Sequence, residues 1–343
     1  MVPESVEGLE VVASRIRQKR LSMKNLAEFL RKKEFLIKRV NPTSMNNTRI
    51  LAVDGGLQKK SLQGVDLILV RACAVLYEFS EGKLVNVEYY PSEFPKPKLR
   101  WSFEPLSEFE FGWKTGYERQ MEEISVAIEA FKRWDPDFVI LDGSVIPHYS
   151  EIPETSKSLS EEFKKLVDSY NQLFKLVKRK TLFGVVKESR GKRFCSEVLE
   201  EVKDLPLELK PLVSNVRDTV ILDVLLEKNE RTMTFSYSSS PDFHPILRHF
   251  PEFSDKVYGF YIRNAEFDVP IRVDFISENP EEDADRISSL LINLTKNSFY
   301  AIPSILIEAD QRARINEELL DSVQGFISSL VGDISDNKRK RPF

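Results

Sequence analysis

Arg49-Ile-Leu-Ala-Val-Asp54-Gly-Gly56 is a short apolar run that delivers an aspartate to a pair of glycines, and Phe138-Val-Ile-Leu-Asp142-Gly-Ser144 repeats the arrangement further along the chain. Each reads as a buried strand, because a brief apolar run rich in β-branched residues and bounded by glycine fits a covered strand, and Asp-Gly marks a turn. Between them Tyr117, Met121, Ile124, Ala127, Ile128 and Phe131 recur at helical spacing. That helix, residues 115–134, is predicted to stop before Asp135-Pro136, since proline pushes the preceding residue out of helical backbone. Helix followed by buried strand is the alternation of an α/β protein. Residues 65–78 and 83–90 read as two more strands joined by Phe79-Ser-Glu-Gly82, which starts the sheet as an antiparallel meander. The expected fold class is therefore α/β, a mixed central sheet flanked by helices with peripheral insertions.

Outward from these strands the pattern is less uniform. Residues 5–39 place Leu9, Val12, Ile16, Leu26, Phe29, Leu30 and Leu36 among Arg15, Arg17, Lys19, Arg20, Arg31, Lys32 and Lys33, the mark of one or two basic amphipathic helices. Residues 91–113, dense in Pro, Phe and Trp without a clear period, read as a long loop. Helices are predicted over 158–177, 215–226, 283–294 and 304–330, and strands over 182–187, 232–237, 257–263 and 271–276. The expected organisation is an N-terminal helical segment (1–45), a principal domain (46–330) containing the inserted loop 91–113, and a basic, disordered tail (331–343).

The 343 residues are 41% hydrophobic and 30% charged, values of a globular protein rather than a disordered or fibrous one. No apolar run is long enough for a membrane span and the first residues lack a signal-peptide core, so a cytoplasmic location without membrane contact is expected. Fifty basic residues against 54 acidic ones leave a net charge of -4, so any nucleic-acid binding must use local basic patches. Cys73 and Cys195 are too few and too far apart for a disulfide framework or a thiolate-zinc site. With only three histidines, a bound metal would be held mainly by carboxylate oxygens, which suit Mg²⁺ or Mn²⁺.

Two aspartates at the carboxyl ends of neighbouring strands would face one crevice of an open sheet. Such a pair repels unless a cation sits between, although Asp-Gly is also an ordinary turn in which the acid caps its own backbone. The intervening helix offers Glu123, at the border of the apolar face, with Glu122 as the alternative; both are otherwise plain solvent-facing helix charges. Asp218 opens a helix, where an acid is favoured by the macrodipole alone. Lys187 leaves the strand Leu182-Phe-Gly-Val-Val-Lys187 and could brace a phosphate or simply reach water.

The order and spacing of Ala52-Val-Asp54-Gly-Gly, the Glu-bearing helix near Glu123, Val139-Ile-Leu-Asp142-Gly-Ser, Gly184-Val-Val-Lys187-Glu-Ser, Asp218-Thr-Val-Ile-Leu, Tyr261-Ile-Arg, Pro270-Ile-Arg272-Val-Asp274 and Pro303 before the last long helical stretch resemble the NurA nucleases. The resemblance runs from Ala52 to about Ile315. It implies a ribonuclease H-like fold and a Mn²⁺- or Mg²⁺-dependent nuclease that cleaves single-stranded DNA and resects duplex ends 5' to 3' in DNA repair. It also implies a homodimer that works beside a HerA-type hexameric ATPase. Asp54, Glu123 and Asp142 would then be the metal-binding acids, holding two ions, with Lys187 assisting catalysis and Asp218 a further member. Where the family usually carries a tyrosine and a histidine this chain has Ile302 and Asp310. Asp310 keeps a metal-capable group at the fourth corner, whereas Ile302 removes a hydroxyl and a stacking face.

Lys59, Lys60, Lys114, Arg190, Lys192 and Arg193 are the expected phosphate contacts, because most follow the strand ends that carry the acids or Lys187. Trp101 and Trp113 could stack the bases of a single strand, or equally pack the loop or a dimer contact. Two other function classes fit parts of the pattern. One is a non-catalytic DNA-end adaptor for a ring ATPase, which the keeping of a repulsive acidic cluster argues against. The other is an actin-like ATPase, which would need hydroxyl-bearing phosphate loops that neither Asp-Gly segment supplies.

Overall fold

A computed structural model describes residues 6–153 and 157–336. In chain order the elements are α1 (Val6–Arg31), β1 (Ile37–Arg39), β2 (Thr48–Leu62), β3 (Val65–Ser80), β4 (Lys83–Tyr90), β5 (Lys98–Ser102), α2 (Glu108–Trp134), β6 (Phe138–Asp142), α3 (Lys157–Leu176), β7 (Thr181–Val186), α4 (Arg193–Glu201), α5 (Lys210–Ser214), α6 (Asp218–Leu225), β8 (Glu230–Thr232), β9 (Phe235–Ser236), β10 (Val257–Arg263), β11 (Ile271–Ile276), α7 (Pro280–Leu294), α8 (Ser304–Ala313) and α9 (Glu318–Val331). They form two units. No helix among the described residues is long and apolar enough to cross a membrane.

The unit made of Ser44–Gly184, Ser240–Asp255 and Pro303–Phe343 contains the strands on which the sequence reading turned. Its strand order is β4-β3-β2-β6-β7: an antiparallel meander of three strands, then β6 parallel to β2 with Ile50 opposite Phe138 and Val53 opposite Leu141. This is the ribonuclease H-like order, in which the first strand lies at the middle of the sheet. The buried faces of β2, β3 and β6 hold Ile50, Leu51, Ala52, Val53, Val75, Leu76, Val139 and Ile140, all essentially without solvent contact.

Three expectations change here. The double glycine does not end the first strand: β2 continues to Leu62 and pairs with β3 at every residue from Thr48 to Leu62. The glycines serve close approach instead, of Glu123 to Gly55 and of Ala313 to Gly56. The segment 91–113 is not all loop, because β5 pairs with β3 (Lys98 opposite Val70, Ser102 opposite Asp66). Its last residues begin α2, seven positions earlier than predicted, behind a capping box in which Ser107 accepts from the Glu110 N–H while the Glu110 side chain accepts from the Ser107 N–H. The closing stretch 304–330 divides into α8 and α9; beyond them Asp336 bridges to Leu62, and the basic residues 337–343 lie outside the described residues.

The other unit, Met1–Thr43, Val185–Ser239 and Lys256–Ile302, is an antiparallel sheet in the order β1-β8-β10-β11 with β9 on the edge of β10. The N-terminal stretch is one helix followed by a strand rather than helix to residue 39, since Ile37–Arg39 pairs with β8. Only the second half of α1 is buried, where Met23, Leu26, Ala27 and Leu30 meet Phe194 and Val198 of α4 and Ile221, Leu222 and Leu225 of α6. Helix α4 was not foreseen. Ile302 is buried.

Candidate metal centre

β2 and β6 lie side by side and parallel, and the position after the Val53–Leu141 pair is Asp54 on one strand and Asp142 on the other. α8 brings Asp310 to them. One carboxylate oxygen from each of Asp54, Asp142 and Asp310 lies within 4.8 Å of the other two, with Asp54 buried, Asp142 half-buried and Asp310 exposed. A cavity of about 320 Å³ opens beside them, lined by Asp54, Gly55, Gly56, Gln58, Asp310 and Arg314 among others.

Gly55 and Gly56 explain how helices from both sides reach one strand. A Cβ on Gly55 would sit 2.5 Å from the Glu123 side chain, and a Cβ on Gly56 would sit 2.0 Å from the Ala313 carbonyl oxygen. Successive residues of a strand face opposite sides of the sheet, so α2 approaches from one side and α8 from the other. Asp54, two residues before Gly56, shares the side of α8, which is why Asp310 can meet it. Glu123 comes in from the α2 side along the gap that Gly55 leaves.

Of the two neighbouring glutamates, Glu123 is the one whose charge acts on Asp54. Glu123 is buried, and its carboxylate lies against the Gly55 N–H, whereas Glu122 forms an ion pair with Lys98 at 2.6 Å. The Gly55 N–H also donates to Asp54 Oδ1 at 2.7 Å. Removal from water, and then the charges of Asp142 and Glu123, push the Asp54 carboxyl up to about 9. Burial raises Glu123 to about 7 against the opposing pull of the Arg119 guanidinium. Arg119, one helical turn before Glu123 on α2, makes an ion pair with it and is itself raised, first by Glu123. The sequence reading missed Arg119, although its four-residue spacing from Glu123 was the available signal.

Lys187 directly follows β7 and is half-buried, in the other unit from the acids. Asp218, also in that unit, is fully buried and holds together its own surroundings: its oxygens accept from the Phe194 N–H (3.1 Å), the Cys195 N–H (2.9 Å) and the Tyr261 hydroxyl (3.0 Å). It therefore caps the start of α4 across chain. Lys114 is not a surface phosphate contact, because it is buried on α2 in an ion pair with Glu162. Lys59 and Lys60 lie within β2 instead of beyond its end; Lys59 sits over the Phe111 ring (5.2 Å) and Lys60 pairs with Asp321 (2.6 Å). Trp113 is half-buried and donates from Nε1 to the Ser150 carbonyl (2.9 Å), while Trp101 on β5 is exposed. Arg193 pairs with Glu197 and donates to the Ser236 carbonyl (3.0 Å), and Arg190 and Lys192 are exposed.

Acids from the first and fourth strands of a ribonuclease H-like sheet, joined by acids from the helices over it, place the chain in the class of proteins that set a carboxylate centre at the middle of such a sheet. The chain belongs to the NurA family: the family model described as NurA domain matches residues 48–315. Among solved structures it is similar to the NurA nuclease from Sulfolobus solfataricus (14% identity, 96% of this chain and 98% of that chain, TM-score 0.65). It is also similar to a NurA bound to dAMP and manganese (10%, 98% of each chain, TM-score 0.58) and to a NurA with manganese (11%, 94% of this chain and 98% of that one, TM-score 0.57). At these identities the likeness establishes the fold. The comparison with curated proteins finds no match.

Proposed function

We propose that this protein is a metal-dependent nuclease that hydrolyses phosphodiester bonds of DNA. The observation that carries the reading is the convergence of Asp54, Asp142 and Asp310 within 4.8 Å, with Glu123 beside them, on a strand pair and two helices that glycines hold close. Three carboxylates so near one another, one of them buried, fit a divalent cation, and an all-oxygen donor set selects a hard one such as Mn²⁺ or Mg²⁺. The manganese present in two of the similar NurA structures, and the dAMP in one of them, agree with this donor set.

Asp54, Asp142 and Asp310 would hold the metal, with Glu123 as the further acid. When bound, a divalent cation supplies Lewis acidity for the attack of water on phosphorus and neutralises charge that develops on the departing oxygen. The chain's own part is to fix the acids. β2 and β6 set Asp54 and Asp142 in register, Gly56 lets α8 bring Asp310 within reach, and the apolar strands beneath keep water from the buried side. Arg190 and Lys192, both exposed, are the expected contacts to the DNA backbone, with Lys187 expected to brace a phosphate, so affinity should fall with salt. Membership of the family supports the finer readings: action on single strands and duplex ends with 5' to 3' resection in DNA repair, two ions in the working site, a homodimer, and a HerA-type hexameric ATPase as partner. Cytoplasmic location belongs with them.

The test is cleavage of end-labelled single-stranded DNA by the purified protein with Mn²⁺, Mg²⁺ or EDTA, beside Asp54→Ala and Asp142→Ala. Metal-dependent cutting that both variants lose supports the reading, and the label's position gives the polarity. Absence of cutting with either metal, together with retained binding to the ATPase, would favour the adaptor.

A further inference from the structure

Arg119 and Glu123 stand one turn apart on α2, and the Arg119 guanidinium binds the Glu123 carboxylate. The side chain of Arg119 is 31% exposed and that of Glu123 is 9% exposed, so the pair sits at the wall of the site with its acid end inside. Glu123 is also packed against Gly55, its Cγ and Oε1 lying 2.5 Å from where a Cβ on that residue would be, with the Gly55 N–H donating to its carboxylate. The charge of Arg119 acts on Asp54 and Asp142 in addition to Glu123. Among the described residues the three aspartates form a group whose oxygens are within 4.8 Å of one another, and Glu123 is not part of that group.

An arginine in this position does for Glu123 what a divalent ion would do, because a guanidinium and a hard cation compete for the same oxygens. We infer that Arg119 is a resident counter-cation for Glu123, so that a first divalent ion enters the Asp54–Asp142–Asp310 group and Glu123 joins a second ion only when its pair with Arg119 opens. Arg119 is thus a positioning residue that sets the order of metal loading. This rests on the metal-site reading above.

Mn²⁺ binding to the intact protein, followed by the electron-paramagnetic-resonance signal of free Mn²⁺, tests it in wild type, Arg119→Met, Arg119→Lys, Glu123→Gln and Asp54→Asn. Wild type should show one tight site and one weaker site. Arg119→Met should strengthen the weaker site by about five- to tenfold, the scale of a partly buried ion pair removed from competition, and the tight site by a smaller factor, since Arg119 acts on Asp54 and Asp142 only through their charge. Arg119→Lys, which keeps a cation next to Glu123, should stay near wild type, and this separates loss of the pair from damage to the fold. Glu123→Gln should lose the weaker site and keep the tight one. Loss of the tight site in Glu123→Gln, or an Arg119→Met titration that superimposes on wild type, would overturn the inference while leaving the metal site standing. A wild-type protein that binds no Mn²⁺, or one that Asp54→Asn matches, would overturn the metal site and this inference with it.

Discussion

Gly56→Ala adds one methyl group at the point where α8 touches β2. In the native structure that Cβ would lie 2.0 Å from the Ala313 carbonyl oxygen and 2.9 Å from its carbon, both backbone atoms that cannot rotate away. Restoring an ordinary contact of 3.4 Å requires α8 or β2 to retreat by about 1.4 Å. Asp310 rides on the same helix one turn earlier, so the retreat withdraws it from Asp54 and Asp142. Overpacking of this kind costs about 1–3 kcal/mol, and at roughly 1.4 °C per kcal/mol for a chain of 343 residues the metal-free melting temperature should fall by about 1–4 °C. Misplacement of a site group by about 1 Å is worth about a hundredfold in rate, so Mn²⁺-dependent cleavage of labelled single-stranded DNA should drop by that order, and the Mn²⁺-induced rise in melting temperature should shrink. Gly112→Ala is the control, because nothing lies within 4 Å of a Cβ there and alanine favours the helix by about 0.5–1 kcal/mol. Gly56→Ala protein with wild-type cleavage and a wild-type Mn²⁺ shift would refute the reasoning that these glycines set the geometry of the acids.

Three further outcomes are expected. In EDTA the carboxyl of Asp54 rises from its ordinary 3.8 to about 9 on folding, so the folded chain holds a proton that the unfolded chain releases. Stability from this group is full below about pH 4 and is lost as the pH climbs toward about 9; Asp54→Asn should flatten that decline in urea melts across the range, and an unchanged slope would contradict the burial of charge described here. Lys114→Met should destabilise the protein by about 3 kcal/mol by stranding Glu162 in its half-buried site, yet leave single-strand affinity as it is; an affinity loss without a stability loss would restore Lys114 to the DNA surface. Asp218→Ala should cost a similar amount, about 3 kcal/mol, by leaving the first N–H groups of α4 and the Tyr261 hydroxyl without their acceptor, measured as the midpoint shift in a denaturant titration.

What could be read beforehand was whatever periodicity and chemistry agree upon. Val257–Arg263 and Ile271–Ile276 emerge with the bounds predicted, because alternating or continuous apolar residues between turn formers leave little else possible. Glu123 was preferred over Glu122 by helical phase alone, and the structure sends them to opposite neighbours. Gly55-Gly56 misled because glycine marks two different needs, a turn and a close approach, and only the three-dimensional neighbours Glu123 and Ala313 tell them apart. The early start of α2 was in fact written in Ser107 and Glu110, but Pro, Phe and Trp nearby masked the capping signal. Lys114 was judged by its charge rather than by its place three residues before Tyr117 on the buried face of that longer helix. Arg119 carries no signature of its own in the sequence, since only its four-residue spacing from a buried Glu123 marks it as that acid's counter-charge.

The adjacent glycines of β2 have a genetic consequence. Gly55 is filled from one side by a side chain of α2 and Gly56 from the other by the backbone of α8, so the two helices are gauged against the same two residues. A substitution that swells one contact therefore finds relief only in a few places. Second-site suppressors of a Gly55 variant should collect on α2 near Glu123, with shorter acids favoured, whereas suppressors of a Gly56 variant should collect around the end of α8 and the Ala313–Ile315 corner. The two sets should not be interchangeable.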